Sequence, residues 1–299
     1  MKRFRHRFTA MGGPCELQLH ADAEPAALFA LGEAEVRRLE KKYSRYRDDS
    51  ATSALNRSAG TTGGIEVDDE TAGLLDFAHT AWQQSEGLFD VTSGVLRRAW
   101  DFKAKRVPSP SQLGAALAHV GWARVGWSRP RLQLAVGMEI DLGGIVKEYA
   151  ADSAARVLRE AGARHGLVEL GGDIAVIGPH PDGAPWQVGV RDPRDPERSV
   201  ATLELREGAI ASSGDYERYF ESGGRRYCHI LNARTGWPVE GLASVSVVAP
   251  QCLVAGAAST IAMLKGPSEG PAWLHSLDLP HLCVASDGTI AGTLAAQRR

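Results

Sequence analysis

Long apolar runs are missing from this sequence: in 299 residues none approaches the roughly 18 consecutive apolar positions needed to cross a bilayer. The opening "MKRFRHRF" is basic and interspersed with phenylalanine, which reads as a first strand or arm, and it lacks the apolar stretch of a secretory signal. The expected location is therefore cytoplasmic, or periplasmic if a leader has been removed. Charge of one sign is also missing. Thirty-four Lys and Arg against 36 Asp and Glu leave a formal charge of -2, so no broad field points to nucleic acid or an anionic membrane as partner. Cysteine is scarce and dispersed. Cys15, Cys228, Cys252 and Cys283 form no C-x-x-C pair, which argues against a zinc site or a disulfide framework and predicts buried free thiols. G-x-G-x-x-G, the Walker pattern and the G-x-S-x-G elbow are absent, and no Ser-His-Asp order can be picked out.

What is present is ordinary in bulk. Hydrophobic residues make up 43% and charged residues 23%, the balance of a soluble globular protein with a sizeable core, in one large domain or two small ones. "EPAALFALGEAEVRRLEKKYSRY" has helical period, with Leu28, Leu31 and Leu39 near one face. "DDETAGLLDFAHTAWQQSEG" predicts a second helix capped by Asp68 or Asp69, and "PSPSQL" a loop or helix start. "GGIVKEYAADSAARVLREAG" predicts a third, with Val146, Ala150, Ala154, Val157 and Ala161 on one side and Gly162 at its end. "CLVAGAASTIAMLKG" reads as one buried helix. "CELQLHA", "HGLVELGGDIAVIG", "WQVGV", "ATLEL", "GAIASSG", "RYCHIL" and "ASVSVVA" are strand-like, and "HLCVASDGTIAG" reads as a hairpin turning at Asp287-Gly288. Strands in clusters, without regular alternation with helices, predict an α+β fold of mixed or antiparallel sheets with packed helices. The charged, Pro-rich "RDPRDPERS" is a surface loop, and the place where two intimately packed subdomains would divide.

Glycine is the first chemical clue, with 33 in the chain against a usual share of roughly 7%. Several flank charged residues, in "DLGGIVKEY", "ELGGDIAVIG", "SSGDYERYF" and "NARTGWP". Glycine before a helix lets backbone amides approach an anion, so the "DLGG" turn with Lys147 one turn in is a phosphate-site candidate; a purely structural turn is the alternative. His229 in "YCHILNARTG" can move protons near neutral pH, though a lone histidine in a strand-like run is more often a packed one. Asp90 and Asp215, each beside turn residues, read locally as caps.

Taken together and in order, "AMGGPCELQL", "YSRYRDDSATSALN", "GLFDVTSGVL", "DLGGIVKEYAAD", "VELGGDIAVIG", "ASSGDYERYF", "RYCHILNARTGWPV" and "VAGAASTIAMLKG" resemble the FAD:protein FMN transferase (ApbE) family from about Met11 to the end. The resemblance implies a single transferase-like domain over residues 1–299, T-fold-like in architecture. It implies transfer of FMN from FAD to a Thr or Ser hydroxyl of a partner flavoprotein, with Mg2+ and release of AMP. The alternatives are an FAD pyrophosphatase giving FMN and AMP, or a non-catalytic FAD-binding protein whose metal site has decayed. By the same resemblance Met11 and Tyr46 would line the flavin; Leu88, Phe89 and Asp90 would hold FAD; and Asp141 and Lys147 would contact the cofactor. Leu231 would touch FAD through its backbone, and His229 would take the proton of the attacking hydroxyl. The metal would be held by the Gly144 carbonyl, with Thr260 and Ser259. The family pattern departs at Ala233, where proline is usual, and at Gly256, where a metal-binding Asp is usual. A further departure is Glu148, where glycine is common. Glu148, expected to share a helix face with Gly144, is the residue that would supply the carboxylate missing at Gly256.

Overall fold

The computed structural model describes residues 1–295. The chain opens with the hairpin β1 (Lys2–Ala10) and β2 (Gly13–Ala21), followed by helices α1 (Ala26–Tyr43) and α2 (Ala51–Arg57). Next come β3 (Ile65–Glu66), α3 (Asp69–Gln84), a 3-10 helix (Val91–Arg98) and α4 (Pro110–Leu117). The short β4 (Gly126–Ser128) and β5 (Arg131–Gln133) lead to α5 (Val146–Glu160), then to the hairpin β6 (Gly166–Leu170) and β7 (Asp173–Gly178). Two more hairpins, β8 (Trp186–Arg191) with β9 (Ser199–Leu205) and β11 (Tyr219–Ser222) with β12 (Arg225–Cys228), flank β10 (Ala209–Gly214). β13 (Leu242–Ala249), α6 (Cys252–Ser276), β14 (His281–Ala285) and β15 (Ile290–Ala291) complete it.

The expected α+β class holds, and every strand pairing is antiparallel. One eight-stranded sheet runs β1-β2-β6-β7-β10-β13-β14-β15. Its two faces are covered differently, and β7 shows how. Ala175 and Ile177 point into the cluster shared with α1, α5 and α6, while Ile174 and Val176 join Trp186, Val188 and Leu203 of the β8–β9 hairpin. A strand buried on both faces reads as continuously apolar, as "DIAVIG" does. "RDPRDPERS" joins β8 to β9, which pair along their whole length. A third cluster, built on Trp100, Phe220 and Tyr227, sits beside the 3-10 helix and α4.

Helix phase differs from expectation in two places. In α1 the buried stripe is Phe29, Gly32, Val36, Leu39 and Tyr43, and Leu31 is 39% exposed. The cause is close approach at Gly32, where a Cβ would meet Leu17 at 2.8 Å and Leu158 of α5 at 3.2 Å. The helix turns Gly32, not Leu31, toward the crowded crossing. In α5 the buried apolar residues are Val146, Ala150, Ala151, Ala154, Ala155 and Leu158, with Glu148 and Ser153 buried among them; Val157 is half-buried and Ala161 lies past the helix end. Asp68 caps α3 by accepting the Thr71 N–H, and Ser109 with Gln112 forms a capping box on α4. All four cysteines are buried and free.

Candidate active site

The site grows from the way α5 and α6 are tied together. The residue preceding α6, Gln251, offers no side-chain cap. Asp152 of α5 supplies it instead, accepting the N–H groups of Cys252 at 2.8 Å and Leu253 at 2.9 Å. One turn back along α5 stands Glu148, and one turn forward along α6 stands Gly256. These two meet. A Cβ at position 256 would lie 2.9 Å from Glu148 Cδ and 3.1 Å from its Oε1, and closer still to its Cγ. The side chain that Gly256 lacks is the space the Glu148 carboxylate fills.

Glu148 is 8% exposed, and its Oε2 has no hydrogen-bond partner. Asp173, at the start of β7 after the Gly171-Gly172 turn, is 2% exposed. Its Oδ1 accepts the Ser212 N–H at 3.0 Å. Its Oδ2 has Lys147 Nζ at 2.5 Å as an ionic neighbour, but no hydrogen bond of good angle. Lys147 Nζ also lies 3.9 Å from Glu148 Oε1. Burial pushes the Glu148 carboxyl up to about 8; Lys147 opposes the shift and the negative charge of Asp173 adds to it. Burial pulls Lys147 down, but Asp173 and Glu148 outweigh it and hold the ammonium above its ordinary value.

Hydroxyls complete this cluster. Ser213 Oγ of β10 lies 2.8 Å from Ser259 Oγ and 2.8 Å from Thr260 Oγ1 of α6. Ser259 also donates to the Gly256 carbonyl at 2.9 Å, so its hydroxyl is held inside the helix pair. Two buried carboxylates with unbonded oxygens, beside serine and threonine hydroxyls, form a hard-oxygen donor set. Such a set fits Mg2+. Gly144 lies in the turn before α5 rather than on the helix with Glu148, since the helix starts at Val146. The consequence is useful: its carbonyl accepts no backbone N–H from the described residues, which leaves it free for a ligand.

The remaining expected residues divide by what their side chains are doing. Asp90 is fully engaged. Its Oδ1 accepts the N–H and hydroxyl of Thr92 at 2.8 and 2.6 Å, and its Oδ2 accepts the Trp122 N–H at 2.8 Å. The carboxylate caps the 3-10 helix and leaves only backbone for a ligand. Phe89 is buried and its ring edges onto Gly144, at 3.8 Å from a Cβ placed there; Leu88 is half-buried beside it. Asp141 accepts the Gly143 N–H at 2.9 Å and pairs with Arg45. Arg45 in turn donates to the Tyr46 hydroxyl at 2.9 Å, and the Tyr46 ring is 78% exposed. Met11 sits with φ 54° ahead of Gly12 with φ 79°, the two-residue hairpin turn between β1 and β2.

His229 lies just past β12, not within a strand. Its N–H donates to the Arg218 carbonyl at 2.9 Å, while its Nδ1 is buried with no partner. Burial, then the positive charges of Arg218 and Lys147, pull the imidazole down to about 4, so it is neutral at pH 7 with a nitrogen free to accept a proton. Leu231 bridges Pro238 across the Asn232-to-Trp237 turn, which Asn232 ties by accepting the Arg234 N–H at 2.9 Å. Ala233, in this turn, is buried. Sequence reasoning missed Asp173, Arg45, Ser213 and Asp152. For Asp173 a signal existed, because "ELGGD" repeats the Leu-Gly-Gly turn of "DLGG" beside an acidic residue.

Comparison with known proteins points one way. The ApbE family profile matches residues 11–283. A Haemophilus influenzae FAD:protein FMN transferase is 32% identical over 240 residues, covering 76% of this chain and 69% of its own length. A Rhodobacter capsulatus protein of the same name is 31% identical over 96% of this chain, which spans 56% of that relative's length. The crystal structure of the ApbE protein from Thermotoga maritima superposes with a TM-score of 0.92 at 31% identity, covering all of both chains. The apo Pseudomonas stutzeri flavinyl transferase ApbE gives 0.87 at 30% identity, covering 99% of this chain and 96% of its own. A family profile that fits nearly the whole sequence, and a fold that superposes over the full length of both chains, place this chain in the ApbE family.

Proposed function

We propose that this protein transfers FMN from FAD to a Thr or Ser hydroxyl of an acceptor flavoprotein and releases AMP. The observation that carries the reading is the convergence of Lys147, Glu148 and Asp173 where α5 meets β7, with Thr260 one turn beyond Gly256 on α6, in a family whose curated relatives bear that activity in their names. The hydroxyl oxygen forms a bond to the FMN phosphorus, the bridging P–O bond of the pyrophosphate breaks, and AMP departs with the electron pair. Lys147 is placed to neutralise phosphate charge, and the open "DLGG" turn lets the chain come close to it. His229, neutral at pH 7, accepts the hydroxyl proton on its imidazole; the arriving pyrophosphate, being anionic, raises its basicity. Phe89, Leu88 and the exposed Tyr46 ring offer apolar and aromatic surface to the flavin.

Mg2+ is part of this proposal. It would be held by Glu148, Asp173, Thr260 and the Gly144 carbonyl, with Ser259 behind them, and when bound it neutralises the pyrophosphate and its leaving oxygen. Glu148 takes the place of the acidic residue that the resemblance puts at 256, because its carboxylate occupies the volume such a side chain would need. Incubation with FAD, Mg2+ and an acceptor protein tests the reading. Covalent flavin on the acceptor is the expected result. Free FMN and AMP formed without acceptor would make the protein a hydrolase, and FAD recovered bound and intact would make it a binder.

A further inference from the structure

The main sheet begins with an open edge. Among the described residues, β1 is bonded to β2 on one side and to no strand on the other. Which of its backbone groups face outward follows from one proline. Pro14 has no N–H and stands opposite Thr9, so that pair is of the non-hydrogen-bonded kind. Pair types alternate along an antiparallel ladder, so Arg7, Arg5 and Arg3, at steps of two, share it. Their N–H and C=O groups point away from β2. Thr9 bears out the direction, since its carbonyl accepts Arg37 Nη1 of α1 at 3.3 Å. No described backbone group bonds to Arg3, Arg5 or Arg7 on that side.

The side chains on this strand specify what would pair with it. Arg3, Arg5 and Arg7 are exposed on one face, while Phe4, His6 and Phe8 are half-buried on the other, against α1. Glu16 sits 2.5 Å from Arg7 and 3.6 Å from Arg5, one carboxylate shared between two guanidiniums, and Arg3 has no ion pair among the described residues. Cross-strand neighbours on one face favour opposite charge. The matching strand therefore alternates acidic residues, facing the arginines, with apolar residues beside Phe4 and Phe8. A second copy of this chain does not match, because two-fold pairing about Arg5 sets arginine against arginine.

The edge also has a defined end. Arg37 covers Thr9, and Glu40 accepts the Met11 N–H at 2.6 Å. An added strand must leave the sheet there, beside the Met11-Gly12 turn. A Cβ on the next residue, Gly13, would lie 3.9 Å from Gly171, and one on Gly171 would lie 3.8 Å from Lys147. The turn at the end of this edge thus lies beside the Gly171 turn that borders Lys147.

We infer that the outer edge of β1 receives an extended, alternately acidic and apolar segment of the acceptor flavoprotein by strand addition, and so presents the hydroxyl-bearing residue to the site. The identity of the occupant rests on the transferase reading above; the edge and its chemistry do not.

The probe is a short synthetic peptide alternating aspartate and valine with a threonine at one end, compared with the same peptide carrying lysine for aspartate. Binding is read by fluorescence anisotropy, and its place by hydrogen exchange at the Arg3, Arg5 and Arg7 amides. The acidic peptide is expected to slow exchange at those three amides and the lysine peptide is not. Arg5→Pro removes an outward N–H without touching the β1–β2 ladder, and should weaken binding at least about tenfold while FAD binding stays as in the unaltered protein. Should Arg5→Pro fail to fold, the triple variant Arg3→Glu, Arg5→Glu, Arg7→Glu keeps the backbone and should reverse the preference between the two peptides. The inference falls if the three amides stay unprotected, if both peptides bind alike, or if the amides of the protein alone become protected as its concentration rises, which would make the edge a self-association surface. Peptide binding without covalent flavin on any acceptor would sink the transferase reading and leave the edge standing; transfer undiminished by Arg5→Pro would do the reverse.

Discussion

Glu148 and Gly256 meet where α5 crosses α6, and each explains the other. Placing aspartate at 256 in the present chain would drive a carboxylate into Glu148. Gly256→Asp alone should therefore destabilise the protein by about 1–3 kcal/mol through overpacking, seen as a lower thermal midpoint. Glu148→Gln should leave the fold in place but weaken Mg2+ binding by at least roughly tenfold, measured as loss of the Mg2+-induced rise in that midpoint. The double variant Glu148→Gly with Gly256→Asp should recover both; a double variant no better than either single one would show that the two positions do not exchange roles. His229→Gln should lower transfer by about 100-fold or more with FAD affinity unchanged, and a matching loss of FAD affinity would place His229 in binding instead. At this scale the family motifs drew attention to Lys147 and Thr260, whose side chains the fold sets beside Asp173 and Ser213. The sequence was not legible where a residue works through space. Asp90, which reads locally as a cap, has both carboxylate oxygens engaged, and Asp173, which drew no reading of its own, is buried beside Lys147. Nothing in the order of the residues says which carboxylate has its oxygens already engaged.

Elements were more legible than their rotation. The longer helices and strands followed from period and turn residues, down to the Asp287-Gly288 hairpin and the buried run that ends at Gly266, whereas α2, the 3-10 helix and β3 drew no such reading. At Gly266 α6 breaks with φ 81° before Pro267 begins its second half. The phase of α1 did not follow, because Gly32 scores as a weak helix former in the sequence and acts in the structure as the contact point with α5. The start of α6 is a second case. Its cap comes from another helix, Asp152 of α5, about a hundred positions away in the chain. Asp152→Ala should cost about 0.5–2 kcal/mol, as loss of a helix cap does. It should also loosen Gly256 and Thr260 relative to Glu148, so the Mg2+-induced rise in thermal midpoint should shrink along with basal stability. A variant that lost stability but kept the full metal response would show that the first turn of α6 is positioned by packing alone.

Across the whole molecule, three helices are joined over the sheet by one carboxylate. Glu70 at the start of α3 accepts from Arg38 at 2.7 Å and Lys42 at 2.8 Å on α1, and from the Tyr149 hydroxyl of α5 at 3.2 Å. Hydrogen bonds from Arg38, opposed by partial burial and then reinforced by Lys42, pull Glu70 down to about 2 from its usual 4.5. A carboxyl whose folded value lies below its unfolded one binds a proton more weakly when folded. Its contribution is therefore complete above about pH 4.5 and disappears as the pH falls through 2. Solvent still reaches the group, so the contribution is modest, about 1 kcal/mol for each ion pair at most. Glu70→Gln should thus lower the thermal midpoint at pH 6, and the gap from the unaltered protein should close progressively between pH 4.5 and 2. High salt should shrink the gap at pH 6 as well, because the pairs are partly exposed. A gap that stayed constant down to pH 2 would mean that Glu70 acts through packing and its neutral hydrogen bonds. The bridge from α1 through α3 to α5 would then hold the helices over the sheet without drawing on charge.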